Sequence, residues 1–243
     1  MPVAAVTYDF LDRVRAPAKG GATARVHAAL LDAIVTLELK PGSILDKNAI
    51  AARLGVSRFP VGEAMNRLAA EGLVDIVPQS GSRVALIRLS DVRENMFLRR
   101  AIETEAVRNL AARPDPALVE ALHRNTLYQK AAIESADRNG FHGFDLAFHA
   151  ILLDALGFER VRHVADTARL GLERVRRMLG SRRRHEHSLA EHLRILDRIK
   201  AGDGQGAALA MEGHLGSVMT ELEAFARQSP ELFADLTTGE SRP

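Results

Sequence analysis

Apolar positions Val26, Leu30, Ala33, Ile34 and Leu37 recur at helical spacing after Thr23, and Lys40-Pro41-Gly42 stops the pattern. Asp46 stands where it can cap a short helix running to Leu54, and Gly55-Val56 supplies a tight turn. Ser57 then opens a further helix carrying Val61, Ala64, Met65 and Leu68, which Gly72 ends. Here the pattern changes. Residues 73–77 and 83–87 are short apolar runs rich in Val and Ile, separated by turn residues from Pro78 to Gly81, the signal of a hairpin. Ser90 and Asp91 open another helix, and no strand pattern returns before about Ala226. Pro114, Gly140, Gly157, Gly180 and residues 202–204 divide that remainder into about six helices.

Three short helices followed by a hairpin form the plan of a winged helix-turn-helix. The expected fold is mainly α: an N-terminal winged helix-turn-helix with a small β-hairpin wing, then a C-terminal antiparallel all-α helical bundle. Residues 1–22 mix charge, Pro and Gly and are expected to be a flexible arm, residues 23–88 the winged domain, 89–229 the helical domain and 230–243 a tail. A chain of 243 residues with 47% hydrophobic and 26% charged positions fits two modest globular domains.

No apolar run is long enough to span a membrane, and the first twenty residues, carrying Asp9 and Asp12, do not form an export signal, so a cytoplasmic protein without a membrane partner is expected. With no Cys, disulfides, thiolate metal sites and cysteine nucleophiles are excluded. The 33 basic and 31 acidic residues nearly cancel, so any nucleic-acid surface has to be local.

Such a surface is offered by the start of the second helix of the helix-turn-helix. Ser57, Arg58 and Phe59 sit in its first turn, where free backbone N–H groups and side chains can meet a phosphate or a base edge. The tip of the hairpin, with Gln79, Ser80, Gly81, Ser82 and Arg83, is small and polar, as a wing approaching a DNA backbone would be. The plainer alternative for Arg58 and Arg83 is a solvated surface arginine.

The helical half places polar residues on apolar faces. Arg99 and Glu103 fall within the stripe of Val92, Met96, Ala106 and Leu110. Asp145 and His149, four residues apart, share a face with Phe141, Phe148, Leu152 and Leu156. His192 lies among Leu189, Ile195, Leu196 and Ile199, and His214 among Ala207, Met211, Val218 and Phe225. One carboxylate and three neutral imidazoles aimed inward can hold a divalent metal. Singly, each histidine is as well explained as a hydrogen-bonded core residue, the reading kept for His27, His123, His142, His163, His185 and His187. Arg99 either pairs with Glu103 or clamps the carboxylate of an organic acid.

The same metal set would suit a hydrolase. Its general base is hard to find, because Glu191 projects about 100° away from His192 on an ideal helix, leaving Glu103 and Glu221. Arg182-Arg183-Arg184 is taken as a solvated basic face.

The stretch from Leu54 to Ala64, with Arg67-Leu68, Glu71-Gly72-Leu73-Val74 and Gly81-Ser82-Arg83-Val84, resembles the DNA-binding domain of GntR-family transcription regulators. Arg99-Arg100-Ala101-Ile102-Glu103, Asp145-Leu146-Ala147-Phe148-His149, Glu191-His192-Leu193-Arg194-Ile195 and His214-Leu215 resemble the FCD effector-binding domain of the family's FadR-type branch. The resemblance implies a homodimeric regulator, a repressor rather than an enzyme. It would bind double-stranded operator DNA under the control of a small carboxylate effector. It also implies a metal on Asp145, His149, His192 and His214, zinc first and nickel or manganese as alternatives, with Arg99 on the effector. Departures are Phe59 in place of a small hydroxyl residue, Gly62 in place of a basic one, Asn48 in place of an arginine, and Phe158 in place of Asn.

Overall fold

The structure is a computed structural model and describes residues 8–13, 21–77 and 81–236. It divides into two compact units, Met1–Arg88 with Ser229–Pro243, and Leu89–Gln228.

In the first unit, helix α1 (Ala22–Val35) buries Val26, Ala29, Leu30, Ala33 and Ile34, the stripe its helical period predicts. Helix α2 (Lys47–Leu54) starts on Asp46, whose carboxylate accepts from the N–H groups of Asn48 and Ala49. It ends at Gly55, in the left-handed region at φ 62°, where a side chain would be strained. Helix α3 (Arg58–Ala70) follows, with Ser57 in the capping position although its hydroxyl makes no capping bond.

The sheet has three antiparallel strands in the order β1-β3-β2: β1 (Ile44–Leu45), β2 (Val74–Val77) and β3 (Gly81–Val84). The hairpin pairs Val74 with Val84 and Val77 with Gly81. Its second strand ends at Val84, three residues short of the expected Ile87. The pairing of Ile44 with Arg83 adds a strand too short to leave a periodic signal in sequence.

Both ends of the chain depart from expectation. Residues 1–7 and 14–20 of the expected arm lie outside the described residues, but Asp9–Arg13 forms a 3-10 turn, and Tyr8 and Leu11 are buried in the core of the winged unit. The Tyr8 hydroxyl accepts from the Asp46 N–H at 2.8 Å, which ties this segment to the start of α2. Within the expected tail, Phe233 is fully buried and the chain pairs with Ile87, through Ile87 N–H to Leu232 C=O and Ala234 N–H to Ile87 C=O. A single large apolar side chain with a place in a core anchors a segment that composition alone marks as loose.

The second unit is a bundle of α4 (Leu89–Ala112), α5 (Pro116–Glu134), α6 (Arg138–Ala155), α7 (Glu159–Met178), α8 (Arg182–Lys200) and α9 (Gly204–Gln228). Helix α4 packs on α6, α7, α8 and α9, and α8 packs on α5 and α9. Asp115 and Ser181 cap α5 and α8 with their side chains. Gly140 does not break the chain as expected. The break is at Ala136, at φ 57°, and Gly140 lies in the first turn of α6 with its N–H on the Asp137 carboxylate. Asp137 is thus the true start signal, three residues ahead of the glycine.

Candidate metal and effector centre

The polar residues predicted to point inward all do so. Asp145 and His149 on α6, His192 on α8 and His214 on α9 are each at most 1% exposed. One ring nitrogen from each histidine lies within 4.8 Å of the others, and His192 Nε2 is 3.8 Å from Asp145 Oδ1. The Nε2 atoms of all three histidines and Asp145 Oδ1 are buried without a hydrogen-bond partner. Four buried lone-pair atoms without a donor would each carry a desolvation cost, and a divalent cation would relieve all of them at once.

The opposite ring nitrogens face acceptors from outside, hydrogen-bonded in His192 and His214 and in close contact without hydrogen-bond geometry in His149. His149 Nδ1 is 2.6 Å from Glu103 Oε2, His192 Nδ1 is 2.9 Å from Gln129 Oε1, and His214 Nδ1 is 2.8 Å from Glu191 Oε2. Gln129 in turn donates to Asn125, whose amide donates to the Phe144 carbonyl. Phe148 stacks on the His192 ring at 4.2 Å between centroids. Acceptors on Nδ1 favour the tautomer that leaves Nε2 bare, which orients each imidazole as a ligand. Burial pushes His149 down to about 4 despite the pull of Glu103, and it pushes His192 well below its ordinary value, so both rings are neutral at pH 7. Burial opposes the charge on Asp145, but Arg176, with the surrounding histidines, outweighs it and holds the carboxyl well below its usual value.

Around this cluster stand guanidinium groups. Arg99 is fully buried and makes two bonds to Glu103, at 2.6 and 3.3 Å, while its Nη1 has no partner. The pairing with Glu103 and a free donor therefore coexist. Arg176 bonds Asp145 Oδ2, and Arg169, seven residues earlier on α7, donates to the Leu146 carbonyl. Beside Asp145 and Arg176 a narrow cleft of about 30 Å³ opens, lined also by Phe141, His185 and Ser188.

Two expectations are corrected here. Glu191, set aside because it projects away from His192, is 3% exposed and bonds His214 and Ser217, since α9 packs on the side of α8 that Glu191 faces. Arg184, taken as solvated with its neighbours, is buried on Ser188, Ser217, Glu191 and Glu221, whereas Arg182 is exposed and pairs with Glu186. Gln129 joins the site as well, and Glu191, Arg169 and Arg176 do so without a local motif that marks them. Gln129 carried the same signal as the histidines, a polar residue among the buried Leu122, Ala132 and Ile133 of α5.

On the winged unit Arg58 and Phe59 are exposed at the start of α3, Phe59 at 76%. Arg58 Nη1 donates to Asn48 at 3.2 Å, tying α3 to the first turn of α2. Arg83, across from Asp75 on β2, donates to its carboxylate at 3.3 Å, and Gly81 takes φ 91° at the start of β3. Gln79 and Ser80 lie outside the described residues.

Residues 22–84 match the profile of bacterial regulatory proteins of the gntR family, and residues 94–217 that of the FCD domain. An HTH-type transcriptional regulator in an unstable DNA locus of Streptomyces ambofaciens is 37% identical over 214 residues, 86% of this chain and 88% of the relative. The HTH-type transcriptional repressor RspR of Escherichia coli K12 is 29% identical over 87% of this chain and 93% of its own. The crystal structure of a GntR transcriptional regulator from Rhodococcus sp. RHA1 superposes with a TM-score of 0.70 at 24% identity, over 83% of this chain and 97% of that one. At that identity the likeness speaks for the fold alone.

Proposed function

The chain belongs to the GntR family of bacterial regulatory proteins, DNA-binding transcription regulators, and carries an FCD domain; on that premise we propose that its helical unit is a metal-dependent sensor of a small carboxylate that sets operator affinity. The observation carrying this reading is the convergence of four buried, partnerless donor atoms on Asp145, His149, His192 and His214, with the three imidazoles braced from behind by Glu103, Gln129 and Glu191. These residues fit a divalent ion with nitrogen and oxygen ligands, zinc before nickel or manganese. Bound there, the ion would supply a coordination position for a carboxylate oxygen. Arg99 offers the same carboxylate its free Nη1.

Ser57, Arg58 and Phe59 with the wing residues Ser80, Gly81 and Arg83 meet the DNA. Two copies of the chain read a two-fold operator. The repressor among the relatives supports repression as the outcome. The effector's leverage equals its differential affinity for the DNA-binding and released states.

A metal hydrolase is the less favoured reading. The inward acids Glu103 and Glu191 are both committed to an arginine and an imidazole, and neither is free to take a proton from water. The test is metal analysis of the untagged chain, with operator binding measured with and without organic acids. About one divalent ion per chain, lost in His192→Ala, and an acid that shifts operator affinity only when the ion is present are expected. A metal-free chain indifferent to chelators and acids would overturn the sensor.

A further inference from the structure

We propose that the acid this pocket takes is a dianion, a dicarboxylate held by Arg169 and Arg176 together with Arg99; the inference rests on the carboxylate-sensor reading above. Three guanidiniums that are nine-tenths buried or more surround the histidine cluster, and each keeps one N–H group without an acceptor: Arg99 Nη1, Arg169 Nε and Arg176 Nη1. Among the described residues, the buried carboxylates beside them are Glu103, Asp145 and Glu173, the last engaged by His142 and Arg177. Glu103 has both oxygens engaged, by Arg99 and His149, and Asp145 has one on Arg176. The further acid on Arg169 is the half-exposed Asp166, 3.5 Å away. These acids still leave one donor on each guanidinium unpaired, and a divalent ion would add positive charge.

Buried N–H groups without an acceptor carry a desolvation cost, and an anion with two carboxylates can accept from all three. One carboxylate satisfies Arg99. It leaves the two α7 donors, which lie on one helix face two turns apart, for a second.

The experiment is calorimetric titration of the metal-loaded full-length chain with malonate and succinate and with their mono-amides, which keep the length and lose one charge. The diacid is expected to bind at least tenfold more tightly than its mono-amide. Arg169→Gln and Arg176→Gln should remove most of that ratio, Arg176→Lys should keep part of it, and Arg100→Gln, on the exposed side of α4, should leave it unchanged. Metal content and thermal unfolding of each variant are measured alongside. Equal binding of diacid and mono-amide by the parent overturns the dianion while leaving the carboxylate sensor standing. Binding of neither overturns both.

An independent observation concerns the DNA-reading helix. Gly62 lies in the interior of α3, where glycine is a poor helix former. A Cβ built there would meet Lys47 Nζ at 3.4 Å and Cε at 3.8 Å. The side chain of Lys47, from the first turn of α2, thus crosses α3 at the one position without a side chain, one turn after Arg58 and beside Phe59. No carboxylate among the described residues pairs with it. We infer that Lys47 supplies a cationic DNA contact on the reading face, where its side chain lies against Gly62.

The check is fluorescence anisotropy across a salt series, on a duplex enriched from a random pool by the full chain. Lys47→Ala is expected to bind about tenfold more weakly and to lower the salt slope by about one. Lys130→Ala, on the surface of α5, should change nothing. A Lys47→Ala protein with the parent's affinity and slope would overturn the assignment.

Discussion

The two units place their polar groups in opposite ways. Among the described residues, every buried polar or charged side chain, from Arg99 to His214, belongs to the helical unit, whereas the core of the winged unit is apolar apart from the ring-borne hydroxyl of Tyr8. The winged unit carries its candidate function on exposed side chains over an oily core, so each can be exchanged without disturbing what holds the fold together. In the helical unit the candidate ligands and their braces occupy the place where a core would be, and function and stability are the same interactions. A buried charge in such a network is tolerable only while its partner remains.

That contrast is most easily broken at Glu103. Glu103→Ala leaves Arg99 and the His149 ring without their acceptor and is expected to cost the helical unit about 3–5 kcal/mol, read by urea unfolding. A loss below about 1 kcal/mol would mean that the network is not structural.

Acid gives the next largest effect. His149 titrates at about 4 in the folded chain against 6.5 when exposed, so the unfolded state binds more protons between those values. The stabilisation is complete above about 6.5 and is lost as pH falls towards 4. For metal-stripped protein the expected loss is on the order of 2–3 kcal/mol, measured by denaturation at pH 7.5, 5.5 and 4.5. A flat profile would mean the ring is accessible to protons in the folded state.

The smallest effect on stability sharpens the other side of the comparison. Arg58→Ala is expected to change unfolding by less than about 0.5 kcal/mol while weakening operator binding roughly 10- to 100-fold. Unchanged DNA binding would remove Arg58 from the reading surface.

Much of this was legible in the chain. The helical period of α1 and α3, the Asp46 cap and the hairpin runs are local signals, and they mark out the winged plan without reference to anything distant. The inward aim of Asp145, His149, His192 and His214 is local too, since a helix face follows from spacing. What spacing cannot supply is the neighbour. Glu191 points away from His192 and still belongs to the site, because α9 brings His214 to it. Arg184 is buried where its run of three arginines suggested solvent, because Ser217 and Glu221 meet it from α9.

The order of elements, the two-domain plan and the four candidate ligands follow from local spacing, because each depends on residues a few positions apart. Tertiary structure alone decided which acid braces which imidazole, which arginines keep a free donor and that Lys47 lies over Gly62. Those depend on how helices distant in the chain pack together, and the period of one helix carries no record of its partner's register.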